Sequence, residues 1–240
     1  MKLFGLDTES ILGRVAEAGA APRVPTVRQS LFIGGVGFAL VGLAAFGVWA
    51  FAGGALTRAV GEGGFYAVCA AVFVGLAGLV FGQLVIGPGG TRRMYALFTP
   101  AFTAYAALWC AAWFALAGRR AWGGELTAEV VGAVGGGMGM AAVLGGGFGS
   151  LRQFSRAALV LVAGNTLGYF LGKVAWIWFR SDAAQVLGGI LTKHQRGVVA
   201  MLAWGILFGA CFGAAIGHVI YLCQSETRAR LQTGIPFKAH

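Results

Sequence analysis

Few residues in this 240-residue chain can do chemistry inside its apolar stretches, and those few are easily named. Asn165 lies about nine residues into an apolar run at 157–179, on the helical side that carries Gly168, Tyr169 and Gly172. An amide at that depth faces another helix rather than lipid. It serves either an interhelical hydrogen bond, worth about 0.6 to 2 kcal/mol, or a polar path. Lys173 lies two turns further along the same run, and Glu129 lies near the start of the preceding one. Their depths match if Lys173 extends outward, so the two can form a salt bridge. The simpler alternative is a lysine that snorkels alone to the headgroups. Thr99 and Thr103 flank Pro100, which removes one helical hydrogen bond and kinks its helix. Their hydroxyls can satisfy the freed carbonyl or face a cavity.

His218, near the end of the last apolar run, and Ser150, after the fourth, raise an intramembrane serine hydrolase. A nucleophilic serine needs a base within hydrogen-bond reach. The residues after Ser150 are Leu151 and Arg152, which make no serine-hydrolase motif, so catalysis is not expected. Cys69, Cys110 and Cys211 sit inside apolar runs and Cys223 at the end of one, with no CxxC or Cys/His cluster among them. No metal site follows, and the glycine-rich run lacks the GK[ST] ending of a phosphate loop. No cofactor is expected.

The elements that must position these residues are apolar helices. The chain is 58% hydrophobic and 11% charged with a mean hydropathy of +0.78, which excludes a water-soluble globular class. Six spans are expected near 31–53, 65–87, 94–117, 127–149, 157–179 and 198–222, with a segment at 1–30 before them and a tail at 223–240. The first run is expected to act as the first membrane anchor, with no cleavable signal ahead of it. The fold class is therefore all-α, a polytopic bundle.

Glycine dominates several of these spans. The segment 132–149, GAVGGGMGMAAVLGGGFG, places Gly132, Gly135, Gly136 and Gly139 on one side, with Gly146 and Gly147, and Val134, Met138, Leu144 and Phe148 on the other. In water such a run would favour a loop; in hydrocarbon the backbone must bond internally, so it is a helix. A bare face lets a neighbouring backbone approach, and this helix is read as the centre of the bundle. Gly164, Gly168 and Gly172 recur at four-residue spacing in the fifth span, as do Gly205, Gly209, Gly213 and Gly217 in the sixth. The seam of the sixth span is the expected partner of the bare face of the fourth.

Two short amphipathic segments flank the spans. Asp7 or Thr8 can cap a helix to Ala18, stopped by Gly19, with Ile11, Leu12, Val15 and Ala18 on one face. The alternative is a disordered tail. A second such helix is expected within residues 180–197.

The net charge of +10 invites a nucleic-acid reading, but the basic residues lie in the flanks of the spans, where they orient helices and meet anionic headgroups. Lys2, Arg14, Arg23, Arg28, Arg92, Arg93, Arg152, Arg156, Arg228, Arg230 and Lys238 fall on one side. Arg58, Arg119, Arg120, Arg180, Lys193 and Arg196 fall on the other. This eleven-to-six bias places both termini in the cytoplasm, in an inner (plasma) membrane. The expected function is that of a non-enzymatic accessory or scaffold subunit, with lipids and other membrane subunits or further copies of itself as partners and no nucleic acid. The alternative is a small channel or transporter, with Asn165, Thr99, Thr103, Lys173 and Glu129 around a sparse polar path.

Overall fold

The structure is a computed structural model that describes residues 3–19, 21–119, 124–181 and 190–233. Among these residues it is helical, with no strand. The elements are α1 (Thr8–Ala18), α2 (Val27–Gly82), α3 (Gly90–Leu116), α4 (Gly124–Gly147), a 3-10 turn at Leu151–Gln153, α5 (Phe154–Arg180), α6 (Lys193–Cys223) and α7 (Ser225–Thr233). Five of them, α2 to α6, are long and apolar enough to cross a membrane. The chain is thus an all-helical protein of the multi-pass membrane type.

Helix starts follow local chemistry. Asp7 accepts a hydrogen bond from the Ser10 amide to cap α1, and Gly19 ends it at φ 61°. Thr26 and Gln29 form a reciprocal capping box at α2, and Thr192 and Gln195 do the same at α6. The second amphipathic helix expected within 180–197 falls mostly on residues outside the described set.

At 56 residues, α2 is far longer than one crossing requires. It is not straight. The Phe38 ring lies 5.8 Å from Phe73 and 5.4 Å from Phe81, and Trp49 lies 6.0 Å from Phe65. A continuous helix would hold Phe38 and Phe81 roughly 65 Å apart. The chain reverses at Gly61, whose φ of 74° and ψ of 174° break the helical path. That backbone region is open essentially to glycine alone. The runs at 31–53 and 65–87, expected as separate spans, therefore become two antiparallel arms of one element.

The two arms and α3 to α6 close a ring. The second arm meets α3 where Tyr95 donates to the Gly75 carbonyl and Phe73 stacks on Phe102 at 5.7 Å. From there α3 packs on α4, α4 on α5, α5 on α6, and α6 on the first arm. Among the described residues no helix occupies the axis. Phe38, Phe81, Phe98 and Phe212 fill it, all fully buried, with Met140 and Leu144 beside them. The bare helix read as the bundle centre, α4, is one wall of this ring.

The glycines meet different neighbours from those the spacing suggested. A methyl at Gly205 would sit 2.6 Å from the Gly42 carbonyl oxygen, and methyls at Gly209, Gly213 and Gly217 would overlap the carbonyls of Phe38, Gly34 and Ser30. The partner of this α6 face is thus the first arm of α2, not α4. Methyls at Gly164 and Gly168 would meet the carbonyls of Cys211 and Phe208 of α6, and one at Gly172 the Trp204 indole. On α4, Gly132, Gly136 and Gly139 face Trp109, Tyr105 and Leu108 of α3, mostly side chains; a methyl at Gly135 would come no nearer to Leu108 than 4.0 Å, and one at Gly146 would meet open space.

Outward faces carry Leu40, Phe114, Leu159 and Val174, each more than 60% exposed. In water such a belt would drive aggregation; in lipid it is solvated.

Candidate functional site

One set of polar side chains inside the ring forms a column along the contact of α4 and α5. Asn165, Tyr169 and Lys173 recur every four residues and so share a face of α5; Glu129 and Ala133 do the same on α4. The two helices lie close because Gly137 leaves room for Val162, whose Cα would be 3.2 Å from a methyl there.

Asn165 is completely buried and satisfied at both ends of its amide. Its Nδ2 donates to the Ala133 carbonyl at 3.0 Å, and its Oδ1 accepts from the Tyr105 hydroxyl at 3.0 Å. The Ala133 oxygen can take this bond because a helical carbonyl keeps a second lone pair. The amide thereby ties α3, α4 and α5 together at one level.

One turn on, Tyr169 donates to Glu129 Oε1 at 3.0 Å, and Lys173 Nζ donates to both carboxylate oxygens at 2.6 Å. The Glu129 side chain is 5% exposed and that of Lys173 30%, so the pair is reached only from the lysine side. Aromatic rings wall it in: Trp109 lies 5.9 Å and Trp204 5.6 Å from the Tyr169 ring. Three hydrogen bonds from two donor groups to one carboxylate, in a place with little water, make a strongly held charge pair.

The other candidates lie elsewhere. Thr99 and Thr103 are exposed on the outer face of α3 and donate to the Tyr95 and Thr99 carbonyls of their own helix. They neither take the carbonyl freed by Pro100 nor join the column, because the inward positions of α3 are Met94, Leu97, Phe98, Ala101 and Tyr105. His218 stacks beside Tyr221 at 6.1 Å, with Nδ1 buried and without a hydrogen-bond partner. The Ser150 hydroxyl donates to the Cys223 carbonyl at 2.6 Å. Among the described residues no His, Cys, Asp and Glu group could hold a metal.

A second polar cluster, which the sequence reading missed, sits at the end of the bundle that carries both termini. Gln224 is buried; it donates to the Leu84 and Ile220 carbonyls and accepts from the Ile86 amide at 2.8 Å. It clamps the connection between α2 and α3. Ile11 of α1 is fully buried there and a methyl at Gly87 would lie 3.1 Å from Val15, so the apolar face of α1 is turned toward protein. Arg230 bridges Glu9 and Glu226, and Arg152 also reaches Glu226. Burial, reinforced by the neighbouring Arg93, lowers the pKa of Arg14; the hydrogen bonds that Arg230 donates to Glu226 and Glu9 raise its own. Tyr105 and Gln224 carried a signal that went unread, since a hydroxyl or amide buried against apolar helix needs a partner.

These features define a class, a multi-pass helical protein with a closed, internally satisfied polar column. No protein family, curated protein or solved structure matches the chain.

Proposed function

We propose that the chain is a non-enzymatic, six-crossing protein of the inner (plasma) membrane that acts as an accessory or scaffold subunit of a membrane assembly. The observation that carries this reading is the filled interior. The axis of the ring is packed with phenylalanine, and Asn165, Tyr105, Glu129 and Lys173 beside it are engaged in bonds between helices. A transport path needs polar groups converging on water at mid-depth. Here they are consumed in holding helices together.

Six crossings are favoured by the reversal at Gly61, which splits α2 into two arms, and by the termini, which meet where Arg230 Nη1 lies 2.6 Å from Glu9. Both ends on one side require an even number of crossings. The arginine bias makes that side cytoplasmic. The carbonyl-to-glycine approaches between α6 and the first arm fit glycine seams, which tighten helix packing in lipid. On this reading α1 and α7 lie at the membrane surface, and the partners are anionic headgroups and other subunits or further copies, not nucleic acid.

The test is purification of the full chain in a mild detergent, followed by identification of what stays bound. A stoichiometric partner retained through two chromatographic steps supports the scaffold. A lone monomer or homo-oligomer that passes a solute in proteoliposomes overturns it. The alternative reading, a small channel or transporter, is favoured by one observation: the Lys173 side chain is part-exposed while gripping a buried carboxylate. Solute flux abolished by Glu129→Gln would select that reading.

A further inference from the structure

At the end of the bundle away from the termini, a cavity of about 770 Å³ opens between the first arm of α2, the last turn of α5 and the first turns of α6. Its lining is basic at Arg180, Lys193, His194 and Arg196 and apolar at the part-buried Trp176 and Met201. The described lining residues include no carboxylate. Arg180 is held in place over the Trp176 ring at 4.4 Å. Arg196 Nη1 donates to the Ser181 carbonyl at 3.4 Å, and its Nε is buried with no hydrogen-bond partner.

Such a site is unfavourable when empty. Arg180, Lys193 and Arg196 converge on it with no counter-charge among the described lining residues, and a buried guanidinium N–H is left unpaired. A phosphate group would relieve both, since guanidinium forks match its oxygens and an ammonium supplies further charge. An inorganic phosphate fills only a small part of the volume and leaves the apolar part of the lining uncovered. We propose that this cavity seats the phosphate headgroup of an anionic phospholipid, with the upper part of its acyl chains against Trp176 and Met201. The inference is independent of whether the protein is a scaffold or a transporter.

The test uses the full chain in a neutral detergent, with mixed micelles of phosphatidylglycerol, of phosphatidylcholine, or with inorganic phosphate alone. Retained lipid is counted by native mass spectrometry and the thermal midpoint is followed in parallel. Phosphatidylglycerol is expected to bind saturably and raise the midpoint, and Arg180→Gln with Arg196→Gln to weaken that binding roughly tenfold or more. Arg152→Gln with Arg230→Gln removes the same charge at the other end and is expected to leave the binding intact. Should the first double variant fail to fold, Lys193→Gln, at an exposed position, gives a smaller loss by the same readout. Equal effects of the two lipids, or equal losses in the two double variants, overturn the proposal. A full effect from inorganic phosphate alone replaces the lipid with a free anion and also overturns it.

Discussion

The Lys173 ammonium donates to both carboxylate oxygens of Glu129 at 2.6 Å, and Tyr169 donates to Oε1 at 3.0 Å. The two partners are unequal, because the glutamate side chain is 5% exposed and the lysine 30%. Removing Lys173 strands a buried carboxylate, whereas removing Glu129 leaves a lysine with a route to water. Lys173→Met is therefore expected to destabilise by about 3 kcal/mol and Glu129→Gln by less. The double variant should recover part of the loss. A double-mutant cycle on thermal midpoints in one detergent measures the coupling, and additive losses would show that the pair contributes nothing.

Asn165 makes a prediction of a different kind. Tyr105→Phe leaves the amide oxygen bare in a dry place, at a cost of about 1 to 3 kcal/mol. Tyr169→Phe removes one of three hydrogen bonds to Glu129, leaving both from Lys173, and is expected to cost less. Midpoints of the two phenylalanine variants, measured side by side, give the order; a larger loss for Tyr169→Phe reverses the assigned roles.

The contrast between these residues shows how much the chain discloses in its sequence. Asn165, Lys173 and Glu129 stand out because polar groups are rare in apolar runs, and four-residue spacing alone puts Asn165 and Lys173 on one face. Thr99 and Thr103 were misplaced because composition gives depth but not azimuth; the inward face of α3 is set by Phe98, Ala101 and Tyr105. Glycine spacing was legible in the sequence, but not what each glycine meets. Spacing identifies a bare face and says nothing about which helix covers it. Gln224 was missed because a glutamine just beyond a span reads as solvated, while here the folding back of 84–86 buries it.

The reversal at Gly61 is open to direct labelling. With the native cysteines replaced, single cysteines at Glu62, Ser10 and Gln232 are treated with a membrane-impermeant maleimide in intact cells. Only the Glu62 position is expected to react from outside. Reaction at Ser10 or Gln232 instead would invert the proposed orientation, and an unreactive Glu62 with both ends protected would remove the outer turn.

The sharpest packing test compares three positions on two helices. At Gly209 a methyl would overlap the Phe38 carbonyl and lie 2.9 Å from Ala39 Cα, so backbone blocks it. At Gly139 the obstacle is Leu108 Cδ1, the free end of a flexible side chain, and the nearest backbone, the Ala104 carbonyl, is 3.8 Å away. Val134 is 36% exposed on the outer face of α4. Overpacking that cannot be relieved by a rotamer change costs about 1 to 3 kcal/mol, and more when backbones must separate. Gly209→Ala is therefore expected to lower the thermal midpoint most, Gly139→Ala modestly, and Val134→Leu hardly at all. The α4 and α6 glycines are thus unequal, although their spacing had suggested equivalent, mutually paired faces. A midpoint for Gly209→Ala within a degree of the parent would mean that α6 and the first arm of α2 do not touch along Gly205 to Gly217, and the ring would be open there.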